Sequence, residues 1–180
     1  MPEDYINIFS YSILLPMKEG FQVFVWSNKF YFTHHLLLLL SIPLSITRFY
    51  QVINKRSIKY YGLLEIGVWL FRLLQYSLIV FIGNDLSMEN IFSKHVWSNI
   101  IQGFHFIDSD QLIWDLIGYA IIFGMYNILL LLVISKKWTK KAFPHHTHRE
   151  TIHSAIILGF NNLFLIPVGV IYLLNIIKII

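Results

Sequence analysis

The chain has no cysteine, which excludes disulfides, thiolate nucleophiles and cysteine-ligated metals. Charged residues make up only 13% of its 180 positions, a low share for the surface of a soluble domain. A glycine-rich phosphate loop, a nucleophile elbow and an HExxH pair are all missing. So are the repeated histidine boxes that hold two irons in membrane desaturases and hydroxylases. Glu3 and Asp4 stand where a cleavable signal would carry its basic region, so the expectation is insertion by the chain's own spans. Alanine is scarce beside abundant Ile, Leu, Asn, Lys and Tyr, a bias that suggests an AT-rich coding sequence.

What is present is long apolar sequence. Hydrophobic residues reach 56%, the range of an all-α polytopic membrane protein. The run Tyr61–Gly83 is about 23 residues long, enough to cross a hydrocarbon core of ~30 Å, and the other spans are expected to be arranged around it. Three further spans are expected at about 30–50, 111–135 and 151–177. Pro43 and Pro167 should bend the first and last of them. Residues 1–29 are expected to lie at the interface, because Tyr5 to Met17 is too short to cross and Pro16 opposes one continuous helix. A fifth crossing by residues 5–26 is the rival reading. Residues 84–110 place Phe92, Val96, Ile100 and Phe104 at fourfold spacing beside Ile91, Trp97 and Ile101, which predicts an amphipathic surface helix with Ser87 at its start. The whole chain thus reads as one membrane domain.

Nine of the fourteen Lys and Arg fall in segments 48–59 and 136–149. With four spans both segments share one side, and the positive-inside rule makes that side cytoplasmic. Arg48, Lys55, Arg56, Lys59, Lys136, Lys137, Lys140, Lys141 and Arg149 are the candidates for contact with anionic lipid or a cytosolic protein. The second segment also holds His145, His146 and His148, with His153 just beyond. Their spacing does not align them on one helix face, so pH-dependent charge is the reading preferred to metal binding. No cofactor is expected.

Polar residues inside the spans carry the remaining information. An arginine at mid-bilayer costs at least ~2.5 kcal/mol on insertion scales, so Arg72 requires partners. Counting about 1.5 Å per residue from the cytoplasmic side, Arg72, Gln75, Asn161 and Asn162 share a middle layer. The same count puts His34, His35 and Asp115 in an outer layer, and Glu65 with Asn127 in an inner one. These layers glue helices together; a proton or ion path is the competing reading, weakened by the fixed cation at its centre. Ala120 with Gly124, and Ala155 with Gly159, place small residues four apart, as close helix packing requires. Asn127 and Asn162 follow the two pairs at equal distance, which leaves an inverted repeat conceivable.

Three functions compete on these grounds. The first is a non-enzymatic, self-associating membrane scaffold or sensor that docks a cytosolic partner through its basic loops. The second is an oligomeric channel or small transporter. The third, a metal-dependent or lipid-modifying enzyme, has only the histidines, and His105 with Asp108, behind it. In its four spans, loop charge, length and lack of cysteine, the chain resembles the membrane subunit of the Kiwa anti-phage defence system. That resemblance is one of format and carries no motif, so no residue role follows from it. It implies an inner-membrane homo-oligomer that senses phage attack and holds a cytosolic DNA-binding effector, without binding nucleic acid itself.

Overall fold

The computed structural model describes residues 3–54 (side chains from 17), 59–87, 89, 93–103, 108–143 and 148–180. Lys55, Arg56, Ile91, Phe92, Phe104, His105, His145 and His146 lie outside the described residues. Every described element is helical: α1 Glu3–Thr33, α2 His35–Ile53, α3 Tyr61–Gly83, α4 Lys94–Gly103, α5 Ser109–Val133, α6 Lys136–Ala142, α7 Arg149–Phe160 and α8 Ile166–Ile176. A π-helical turn, Asn161–Leu165, joins α7 to α8 without a break. Four stretches are long and apolar enough to cross a membrane: His35–Ile53, Tyr61–Gly83, Ser109–Ala142 and Arg149–Ile176. The protein is therefore an all-α, multi-pass membrane protein.

The last of these stretches, not Tyr61–Gly83, is the centre of the bundle. It is 44% buried over its most apolar window, against 17–22% for the other three. Pro167, Val168, Gly169, Ile171, Tyr172 and Ile176 of α8 are all buried. Hydropathy does not reveal this, because lipid and protein interior are equally apolar; only packing separates a central helix from a peripheral one. Helix α3 buries just Val68, Arg72, Gln75 and Ile79, while Trp69, Leu70, Leu73 and Leu74 stay exposed. Its polar residues thus face protein and its large apolar ones face outward, as a bilayer solvent requires.

The N-terminal region differs from expectation. Residues 3–33 form one continuous helix that runs through Pro16. Proline's fixed φ suits a helix, and it forfeits one backbone hydrogen bond. Packing of the second half against α5 and α8 supports the helix. Gly20 allows that approach: a Cβ there would lie 2.9 Å from the Tyr172 hydroxyl and 3.6 Å from the Gly118 backbone. Just below, Phe24 meets Phe123 edge-on at 5.6 Å, and Tyr119, Phe123 and Tyr172 pack ring to ring. These aromatics join α1, α5 and α8 (each pair is a favourable quadrupole contact as well as buried area).

The expected first span, 30–50, straddles a helix break. His34 sits at φ −95°, ψ 80° between α1 and α2. Its backbone N–H donates to the Phe30 carbonyl at 3.2 Å, and its ring Nδ1 lies 2.7 Å from the same oxygen. Pro43 does not end α2, which continues to Ile53. Helix α1 packs on α8 and α2 on α7, so the two line up end to end along the central helix. Ser45 donates to the Gly159 carbonyl at 2.7 Å and ties α2 to α7. The amphipathic segment also begins later than Ser87: α4 starts at Lys94, and its Val96 and Ile100 are half-buried while Trp97 and Ile101 are exposed.

Candidate polar site at the helix break

Two irregularities face each other across the bundle. One is the break at His34; the other is the π-helical turn Asn161–Leu165. A π turn shifts the backbone register, so its carbonyls are open to partners outside the helix. Tyr31, fully buried, donates its hydroxyl to the Leu163 carbonyl at 2.5 Å. Phe32 packs against Phe164 with ring centroids 5.9 Å apart. The end of α1 is thereby fastened to the turn.

The same level holds the buried cation. Arg72 is 7% exposed. It donates to the Asn162 Oδ1 and, at 3.1 Å, to the Gln75 Oε1. Each amide passes its own N–H onward. Asn162 donates to the Leu158 carbonyl at 2.7 Å. Gln75 donates to Ser41 at 2.5 Å and to the Leu37 carbonyl at 3.3 Å, and Ser41 in turn donates to Leu37 at 3.0 Å. The network ties α3 to α2 and to the π turn through neutral groups alone. Their oxygens point at the charge and their N–H groups rest on backbone carbonyls and the Ser41 hydroxyl, so among the described residues the positive charge is spread over neutral groups.

Of the expected middle layer, Arg72, Gln75 and Asn162 meet. Asn161 does not join them: its Oδ1 is buried with no hydrogen-bond partner. A rise count gives depth but not azimuth, and adjacent helical residues point about 100° apart. Ser41 and Tyr31 were not anticipated. The α2–α3 register, once known, makes Ser41 the natural neighbour of Gln75, but a lone serine or tyrosine in an apolar helix carries no signal by itself.

The outer and inner layers do not form. Helices α1 and α5 run in parallel, with Glu19 beside Gln111 and Phe24 beside Phe123, so His34 lies far along the bundle from Asp115. Asp115 instead shares the Gln111 amide with Glu19, at 3.1 and 3.2 Å, and His35 is exposed. At the other end Glu65 pairs with Arg48 at 2.5 Å, and Asn127 donates to the Phe123 carbonyl of its own helix at 3.2 Å. Equal depth on two helices does not bring side chains together unless the helices pack closely, and α3 and α5 are not a substantial packing pair among the described residues. Arg48, expected among the loop cations, is a half-buried residue of α2 that also donates to Gln51 at 2.9 Å. The antiparallel α2–α3 register was the available signal for this pair.

The small-residue pairs also separate. Ala155 and Gly159 are buried, and a Cβ at Gly159 would stand 3.3 Å from the Ser45 hydroxyl. Ala120 and Gly124 are exposed on α5, with nothing within 4 Å of a Cβ at Gly124. Among the described residues, Gly124 meets no neighbour and Ala120 stays on the exposed face.

The lysine-bearing end is well defined where described. Helix α6 is capped by Ser135, whose hydroxyl accepts from the Trp138 N–H at 3.2 Å, and buries Thr139 against the bundle. Lys136, Lys137, Lys140 and Lys141 are exposed, with Trp138 50% exposed among them. His153 of α7 sets its Nε2 2.7 Å from the carbonyl of Ile134, the C-cap of α5 just before α6, and α6 itself packs on α7. Lys136 reaches Glu150 at 3.5 Å between two exposed side chains, a contact worth little. Arg149 is half-buried and Lys59 lies over the Tyr60 ring at 5.6 Å. Because α2 runs antiparallel to both α3 and α7, the end of α2, the start of α3, α6 and the start of α7 all lie at one end of the bundle. No protein-family model, curated protein or solved structure matches this chain.

Proposed function

We propose that this protein is a non-enzymatic, self-associating scaffold or sensor of the bacterial inner membrane, which docks a cytosolic partner on its lysine-bearing end. The observation that carries the reading is the rigid path from that end to the polar site. Helix α6 presents four exposed lysines and Trp138. It packs on α7, where His153 also anchors the Ile134 carbonyl just ahead of α6, and α7 continues without interruption into the π turn that carries Asn162. A charge-complementary partner bound to α6 would act on the same helix that holds the midplane cation, which is the linkage a sensor needs.

The positive-inside rule assigns the lysine-bearing end to the cytoplasm, where those residues would meet an acidic protein surface or anionic lipid. The format shared with the Kiwa membrane subunit supports a DNA-binding effector as that partner and anti-phage defence as the setting. The exposed Ala120 and Gly124 on α5 suit close approach by a second copy.

The test is co-purification of the full chain with the product of any adjacent gene. Charge reversal at Lys136, Lys137, Lys140 and Lys141 should abolish recovery of the partner while leaving the protein folded in detergent. Recovery that survives the reversal refutes docking at this end. A second reading, an oligomeric channel or small transporter, is favoured by the helix break opposite a π turn, since discontinuous helices frame substrate sites near the bilayer midplane. Ion flux in proteoliposomes discriminates the two, and the fixed guanidinium predicts that any flux is anionic.

A further inference from the structure

A pocket of about 380 Å³ opens between α3 and α7, lined among others by Arg48, Trp69, Arg72, Tyr76, Leu158 and Asn162. Its size falls within the range of small-molecule sites, ~300–1,000 Å³. At its inner wall is the Arg72 guanidinium. A guanidinium has five N–H donors, and two of the Arg72 bonds go to Gln75 and Asn162. Both partners are neutral. Among the described residues the ion pairs are Arg48–Glu65 and Lys136–Glu150, so no described carboxylate neutralises Arg72. The Arg48 charge, also in the lining, is already balanced by Glu65. Counted over the described residues, the pocket therefore holds one net positive charge.

The rest of the lining is apolar. Val68, Leu158 and Ile166 form the walls. Trp69, 70% exposed, stands on the outward face of α3, the face that meets acyl chains. A ligand would enter sideways from the bilayer rather than from water. The cation also lies deep, about 16 Å along α3 from Tyr61 at ~1.5 Å per residue. A hydrated inorganic anion gains nothing from such walls. A molecule with one negative charge and an apolar tail would satisfy both the Arg72 N–H groups not given to Gln75 or Asn162 and the hydrocarbon lining.

We propose that this pocket binds a monoanionic amphiphile from the bilayer, with its headgroup on Arg72 and its chain along Trp69 and Leu158. A fatty-acid carboxylate and the phosphodiester of an anionic phospholipid share this chemistry. In the full chain, occupancy would bear on α3 and α7 together, since Arg72 and Asn162 belong to the site.

The experiment is native mass spectrometry of the full-length protein released from phosphatidylcholine nanodiscs, titrated separately with oleate, phosphatidylglycerol, added phosphatidylcholine and chloride. Oleate or phosphatidylglycerol should bind in a saturable one-to-one complex, and which of them binds identifies the source. Arg72→Gln should weaken that complex roughly tenfold, as loss of a charge-assisted bond implies, and Arg72→Lys should retain most of it. Leu158→Trp, which fills the pocket from the α7 side and keeps the cation and its amides, should cause a similar loss even if Arg72→Gln does not fold. A brominated oleate should quench fluorescence in the native protein by an amount that Trp69→Phe removes. The proposal is overturned if phosphatidylcholine binds as well as the anionic lipids, if only chloride competes, if neither anionic lipid binds, or if Leu158→Trp binds like the native chain.

Discussion

Replacing Asn162 by leucine removes one of the two amide oxygens that hold Arg72, while keeping the branched skeleton of the side chain. Asn162 is 3% exposed and Arg72 7%, so water does not readily take the vacated position. A hydrogen bond to a charged group is worth ~1.5–3 kcal/mol, whereas ordinary interhelical bonds in membranes average ~0.6 kcal/mol and peak near ~1.7. The charge and burial place Asn162→Leu at about 2 kcal/mol of lost stability. Asn161→Leu, one position earlier, is the control. Its Oδ1 is buried without a partner, so its removal should be neutral or stabilising by up to ~1 kcal/mol. The double variant Arg72→Leu with Asn162→Leu has no charge left to satisfy, and the cycle should return a coupling of about 1.5–2 kcal/mol. Reversible unfolding in mixed micelles of rising sodium dodecyl sulfate content, followed by helical circular dichroism, measures the native chain, Arg72→Leu, Asn162→Leu, their double variant and Asn161→Leu. A native-like Asn162→Leu, or an Asn161→Leu that costs as much, would refute the assignment of Asn162 as the partner of the cation.

Other expected outcomes follow from single contacts. Tyr31→Phe deletes the bond to the Leu163 carbonyl and should cost about 1 kcal/mol in the same unfolding assay. Gly159→Leu should force α2 from α7, because even a Cβ there stands 3.3 Å from Ser45, and should lower stability by about 2 kcal/mol or more; Gly124→Leu, which meets nothing within 4 Å, should leave the monomer stable and reduce self-association seen by cross-linking. Single cysteines are unambiguous labels in a chain that has none, so Lys140→Cys should react with an impermeant maleimide from the opposite side of the membrane to Lys94→Cys. Labelling of both from one side would contradict the four-span reading.

Much of the membrane architecture was readable in one dimension, because hydrocarbon is an unforgiving solvent. Apolar runs of sufficient length have few alternatives to a spanning helix, and an arginine such as Arg72 must find polar partners at its own depth. Depth follows from a simple rise per residue, which is why Gln75 and Asn162 could be matched to Arg72 before any coordinates. Depth does not give azimuth or adjacency. The Asn161 amide oxygen finds no partner while that of Asn162 holds the cation, and Glu65 pairs with Arg48 on the neighbouring α2 while Asn127 bonds its own helix. Nor could composition show that the 149–176 helix is central, since a residue facing lipid and one facing protein are chosen from the same apolar set. The continuity of α1 through Pro16, the break at His34 and the π turn at Asn161–Leu165 were likewise decided by packing: each is a local backbone cost that becomes acceptable only where another helix, as with Tyr31 on Leu163, supplies the contact that offsets it.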